Sequence, residues 1–362
     1  MRYRLVAMTR DDARAASEVE PELDRIDQAF EQGDFDRALE LTGRLFERFP
    51  GDLDALTYRA AALASVGEVD EACELFREAL VQAPDDLDLL QAAGELLVYD
   101  LEGDHDAYEE ALGLVERARK LARRAKEPRR EAELLILQSA ALGGLGDSRG
   151  ALRVLDKARA LAPELPGIAV ERGIALFELC GLDEAKAELA ALLKVEPEDA
   201  RAHHYLGLIA EHQGDPALAE RHFRRARTLA PEQFPVPVPM SARDFERAIE
   251  DALDGLPSKV QHYLSNVAII AEELPDLDEL RASEPPLSPG SLGLFRGTPV
   301  TEQSTSDPWS QLPSAILLFR SNLRRFARSR DELIEQIEVT LIHEVGHFLG
   351  LDEEQLYERG LD

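Results

Sequence analysis

The chain has 362 residues, 44% of them hydrophobic and 31% charged, with a formal net charge of −30, so it is long enough for two or three cores and too acidic to expect nucleic acid as a partner. Its two cysteines, Cys73 and Cys180, build no disulfide framework and point to a reducing, cytoplasmic setting. The opening apolar run, Leu5-Val6-Ala7-Met8, is too short for a signal-peptide core, and no later run reaches membrane-spanning length, so no membrane is expected.

Residues 1–20 read as a tail. From residue 21 to 231 prolines mark a period: Pro50 and Pro84 lie 34 residues apart, as do Pro163 and Pro197, and Pro197 and Pro231. Alanines keep the same register, Ala38 with Ala72, and Ala151 with Ala185 and Ala219. Gly33, Gly67, Gly146 and Gly214 each stand five residues before one of these alanines, while Gly181 stands four before Ala185. A helix, a tight glycine turn, a second helix with a small residue at the contact and a terminating proline account for the pattern. Between Pro84 and Pro128 the spacing grows to 44, which predicts a longer turn at 100–105. These residues resemble the tetratricopeptide repeat, most clearly in Tyr205-Leu206-Gly207, Gly214-Asp215, Ala219, Phe223, Ala226 and Pro231. The resemblance implies a helical solenoid of about six helix pairs, with a groove that holds a protein or peptide partner. His203, His204, His212 and His222 in the last pair share no helix face and read as ordinary surface residues of the repeat.

The run Phe234-Pro235-Val236-Pro237-Val238-Pro239 favours an extended chain and marks 232–240 as a linker. Beyond it, Ser241 can cap a helix carrying Phe245, Ile249 and Leu253. Residues 267–270, 292–295 and 315–319 read as strands, the last expected to offer an edge to an extended peptide. Trp309, in the loop before that strand, is expected over a cleft or in the core. Arg320, Arg324, Arg325, Arg328 and Arg330 form a basic run, read as a solvated helix face, with a substrate-carboxylate site as the alternative. A final helix from about residue 331 carries Ile334, Ile337, Leu341, Val345 and Phe348 on one face and ends at Gly350. Helices and strands together predict a small α+β domain over 241–362.

His343-Glu344-Val345-Gly346-His347 lies on the final helix. Residues four apart stand one above the other, so His343 and His347 can aim imidazole nitrogens at one ion. Glu344, on the edge of the same face, can accept a proton from water activated there and pass it to a leaving amine. Nitrogen-plus-carboxylate ligation suits zinc, with iron and manganese left open. A break at Gly350 lets the chain turn back with a third ligand, Glu353 by spacing or the adjacent Asp352. Those acids can equally start a short last helix.

The stretches Phe245-Glu246-Arg247-Ala248-Ile249-Glu250-Asp251-Ala252-Leu253, Gly293-Leu294-Phe295-Arg296-Gly297-Thr298-Pro299, Ile316-Leu317-Leu318-Phe319-Arg320 and His343 to Leu356 resemble the minimal zincin-like metallopeptidase family of bacteria. The resemblance covers nearly all of 241–362. It implies a compact mixed sheet with the histidine helix beneath it, and zinc held by two histidines and an acidic third position. Here that position has Glu, where the family often has Asp, and the loop around 285–289 is longer. The expected function is a zinc metallopeptidase with a recruiting repeat array. The alternative is a non-catalytic interaction scaffold with a degenerate or structural zincin domain.

Overall fold

The computed structural model describes residues 16–101, 103–302, 314–352 and 355–356. Residues 1–15, Trp309 and Glu353 lie outside the described residues. The chain divides into two compact units, Met1–Ala175 and Leu176–Asp362.

The first twelve helices follow one another as six helix–turn–helix units in sequence: α1 (Ala16–Gln32) and α2 (Phe35–Arg48), α3 (Leu53–Ser65) and α4 (Val69–Gln82), α5 (Leu87–Tyr99) and α6 (His105–Ala125), α7 (Pro128–Gly144) and α8 (Ser148–Leu161), α9 (Pro166–Glu178) and α10 (Leu182–Leu192), and α11 (Ala200–His212) and α12 (Pro216–Leu229). Ala38, Ala72, Ala151, Ala185 and Ala219 are buried at the helix contacts. The wider proline spacing has two sources. The turn before α6 is long, as expected, and α6 itself has 21 residues where α4 and α8 have 14, about two further turns.

The offset of Gly181 also has a physical reason. The turn glycines 33, 67, 146 and 214 all have positive φ, which opens a left-handed bend at no steric cost. In the fifth pair Cys180 takes that bend with φ 60°, five residues before Ala185, and Gly181 becomes the N-cap of α10. In the last pair Gly207 serves close approach instead, since a Cβ there would stand 2.6 Å from the Phe223 ring.

After α12 the chain turns at 231–234 and continues without regular structure to α13 (Ala242–Gly255), capped by the Ser241 hydroxyl on the Asp244 amide. Then follow α14 (Ser258–Leu264), β1 (Ala268–Glu272), α15 (Leu277–Ala282), β2 (Gly293–Arg296), β3 (Ala315–Phe319), α16 (Arg320–Phe326) and α17 (Arg330–Phe348). The sheet order is β1-β3-β2, with β1 parallel and β2 antiparallel to β3. All five β3 residues are buried, which a continuous apolar run permits only in a covered central strand. The expectation that 315–319 offers an edge is therefore corrected: β3 is paired on both sides, and among the described residues β1 and β2 are the outer strands.

Phe245 and Ile249 of α13, Ile316 and Leu318 of β3, and Leu333, Ile337, Leu341, Val345 and Phe348 of α17 make one apolar core. Leu333 occupies the inward position expected of Ile334, whose side chain is 40% exposed. The linker is part of this unit. Val238 is buried in the same core, its amide donates to the Arg324 carbonyl at 2.8 Å, and Arg324 Nε donates back to the Val238 carbonyl at 2.9 Å.

Candidate active site

A cleft of about 790 Å³ opens between β2, the loop before it and α17, and its walls include Leu292, Gly293, Phe295, His343, Glu344 and His347. Placement of the histidines begins with the helix end. Leu341, Val345 and Phe348 fix the inner face of α17, so His343 and His347 fall half-buried on the cleft side. Their rings meet edge to face at 4.7 Å, with the two Nε2 atoms 3.1 Å apart. Glu344 is buried, 6% exposed, and lines the same cleft.

The end of α17 sets the state of His347. Gly350 has φ 87°, and the Gly350 and Leu351 amides donate to the carbonyls of His347 and Gly346, each at 3.0 Å. This double closure is a Schellman motif. It turns the Leu351 carbonyl back onto His347 Nδ1 at 3.1 Å. A carbonyl only accepts, so in the neutral ring Nδ1 carries the proton and Nε2 keeps its lone pair. That tautomer suits metal ligation through Nε2. Two nitrogens on one tetrahedral zinc would stand about 3.3 Å apart, close to the 3.1 Å found. The donor pair therefore fits such an ion.

Among the described residues no three His, Cys, Asp or Glu side chains gather as a metal site. The third candidate by spacing, Glu353, lies outside them. Asp352 lines the cleft and also forms a reciprocal cap: its Oδ1 accepts from the Gln355 amide at 2.9 Å, while Gln355 Oε1 accepts from the Asp352 amide at 3.3 Å. Gly346 leaves space for Leu356, whose Cδ2 would stand 2.3 Å from a Cβ at 346.

Residues 264–361 match the model of the zincin-like metallopeptidase family. This region is a zincin-like domain. Residues 23–86 and 170–234 match the tetratricopeptide repeat, so repeats precede it. The chain is also similar to cellulose synthase 2 operon protein C of Komagataeibacter xylinus, 31% identical over 214 residues, 58% of this chain and 16% of that protein. It thus spans a small part of that relative. Similar solved structures include PilF of Pseudomonas aeruginosa, 18% identical over 60% of this chain and 95% of that one, with a TM-score of 0.46. Another is a thermophilic tetratricopeptide protein of Thermus thermophilus, 24% identical over 57% and 97%, with a TM-score of 0.42.

In the zincin-like domain the basic run is only in part the expected solvated face: Arg328 and Arg330 are exposed, while Arg320, Arg324 and Arg325 are partly buried. Arg320 pairs with Glu273 at 3.2 Å, Arg328 donates to the Glu232 carbonyl at 3.0 Å, and Arg330 stands 3.7 Å from Asp244. Arg325 is mostly buried, paired with Glu211 and set 5.1 Å over the Phe223 ring. These partners come from the repeat, the linker, α13 and the loop after β1, all distant in sequence. The histidines of the last pair are likewise not all surface residues. His204 stacks on Phe234 at 4.5 Å, and burial, with Arg325 second, pushes its pKa down to about 3. His212 hydrogen-bonds the Pro289 backbone, and burial followed by the Arg325 charge lowers its pKa to about 4. His203 and His222 face each other, Nδ1 to Nδ1 at 3.0 Å.

Gly293 escaped the sequence reading as a site residue. A Cβ there would stand 2.9 Å from Glu344 Oε1, so its bareness makes room for that carboxylate. The Leu351 carbonyl and the cleft wall at 287–292 were missed too, because neither is marked by side-chain chemistry.

Proposed function

We propose that the chain is a zinc-dependent metallopeptidase whose repeats recruit the protein to be cut. The observation that carries this reading is the pair of Nε2 atoms 3.1 Å apart in a cleft that also holds the buried Glu344. His343 and His347 would hold the metal, with Glu353 as third ligand and Asp352 as its alternative. Zinc bound there supplies a Lewis acid that makes water acidic near neutral pH and polarises a carbonyl.

Glu344 would take the water's proton and pass it to the leaving amine. The Leu351 carbonyl keeps His347 in the ligand tautomer. β2 pairs with β3 on one side and, among the described residues, has no strand on the other. Its outer main-chain groups can pair with an extended peptide lying along the cleft.

Elemental analysis and a peptide library test the reading. One zinc per chain is expected, lost in His347→Ala and weakened in Glu353→Ala more than in Asp352→Ala, together with cleavage of library members. A chain that takes no zinc, or takes it and cuts nothing, contradicts the proposal.

A further inference from the structure

The cleft wall opposite the histidine helix is a loop without regular structure, and Leu287, Ser291 and Leu292 of it line the cleft. An irregular segment holds its place only if its main-chain groups find partners. Here most partners come from elsewhere in the unit. Asn322, 7% exposed at the start of α16, donates through Nδ2 to the Pro289 carbonyl at 2.9 Å and to the Ser291 carbonyl at 2.7 Å. Its Oδ1 accepts from Arg325 at 3.2 Å, and Arg325 pairs with Glu211 on α11. The neighbouring His212 hydrogen-bonds the Pro289 backbone, and Cys180 Sγ donates to the Leu287 carbonyl at 3.4 Å.

We propose that Asn322 is a positioning residue of the cleft, and that the Glu211–Arg325 pair of the last helix pair sets substrate affinity through it. The chain of contacts runs Glu211, Arg325, Asn322, then the carbonyls of Pro289 and Ser291, and ends at the wall. Each link is a directed hydrogen bond or ion pair with limited exposure, so solvent competes poorly for it. Arg325 and the loop carbonyls agree on which way the Asn322 amide points: the guanidinium only donates, so the carboxamide oxygen faces it, and the carbonyls only accept, so the NH₂ faces them. Losing the Glu211 carboxylate removes the ion pair that holds Arg325 against Asn322, and the amide is then held from the loop side alone. The kinetic part rests on the peptidase reading; the structural part does not.

The test is amide hydrogen exchange on the metal-free full chain, comparing wild type, Asn322→Ala, Glu211→Ala and the double variant. Exchange at 287–292 should quicken about tenfold in Asn322→Ala, the size of a lost buried hydrogen bond. A smaller increase is expected in Glu211→Ala, with none added in the double variant, while amides at 343–347 keep their protection. Asn322→Asp, which keeps the shape but loses the donor, should match Asn322→Ala. With a cleaved peptide, Asn322→Ala should raise KM severalfold with kcat within about twofold. Unchanged exchange at 287–292, additive effects in the double variant, equal loosening of α17, wild-type behaviour of Asn322→Asp, or a fall in kcat alone would overturn the proposal. If no peptide is cut, the exchange data still decide it.

Discussion

At the start of β2 the room left by Gly293 is measurable: a Cβ would meet Thr340 Cγ2 at 2.7 Å and Glu344 Oε1 at 2.9 Å. Gly293→Ala should therefore displace the Glu344 carboxylate, cost about 1–3 kcal/mol of overpacking strain, and lower kcat/KM further than the loss of folded protein accounts for. Thermal unfolding and peptide kinetics on the same preparation separate the two effects. His343, Glu344 and His347 were legible because spacing of four on a helix dictates a shared face. Gly293 and Asn322 were not, since what each does depends on an approach between segments tens of residues apart.

At the scale of elements the end of α17 matters most. Gly350 has φ 87°, and a Cβ there would stand 2.2 Å from Thr301 Oγ1. Gly350→Ala should cost about 1–2 kcal/mol for the left-handed backbone alone. It should also move the Leu351 carbonyl off His347 Nδ1, and zinc affinity should fall about tenfold or more, as for other lost supports of a ligand histidine. Competition with a chelator of known affinity reads that change, and wild-type affinity in a folded variant would show the carbonyl unnecessary. The long helix and the apolar run of β3 were legible from periodicity. The short helices α14 and α15, with 7 and 6 residues, were not, because fewer than two turns give no readable period. Ile334 and Leu333 were confused because both are apolar and one position apart, and only the packing against α13 and β3 decides between them.

For the whole molecule, the buried histidines and the buried acid Glu95 should respond to pH with opposite sign. His204 and His212, in Leu176–Asp362, have folded pKa values pushed to about 3 and about 4, below an ordinary value of 6.5. The unfolded chain binds more protons between those limits, so stability is lost as pH falls from about 6.5 toward 4, by an amount on the order of a few kcal/mol. Glu95, in Met1–Ala175, is raised to about 7 by burial, partly offset by its hydrogen bond from Gln91 and the charge of Arg130. Its contribution is present below pH 4.5 and lost as pH rises through about 7. Exchange measured segment by segment from about pH 4 to 8 should show α11, which carries His204 and His212, loosening at the acid end and α5, which carries Glu95, at the neutral end; parallel slopes would contradict this. The six helix pairs were legible in the proline and alanine register. The docking of the linker and basic run was not, because the partners of Arg324, Arg325 and Arg328 are fixed by tertiary structure alone.

The most direct measurement of the central claim is peptide cleavage by zinc-loaded wild type and Glu344→Gln at equal metal content, with products identified by mass spectrometry. Glu344→Gln should bind zinc as wild type does and cut at least about 100-fold more slowly. Equal cleavage by both proteins, or none by either, would contradict a peptidase built on His343, Glu344 and His347.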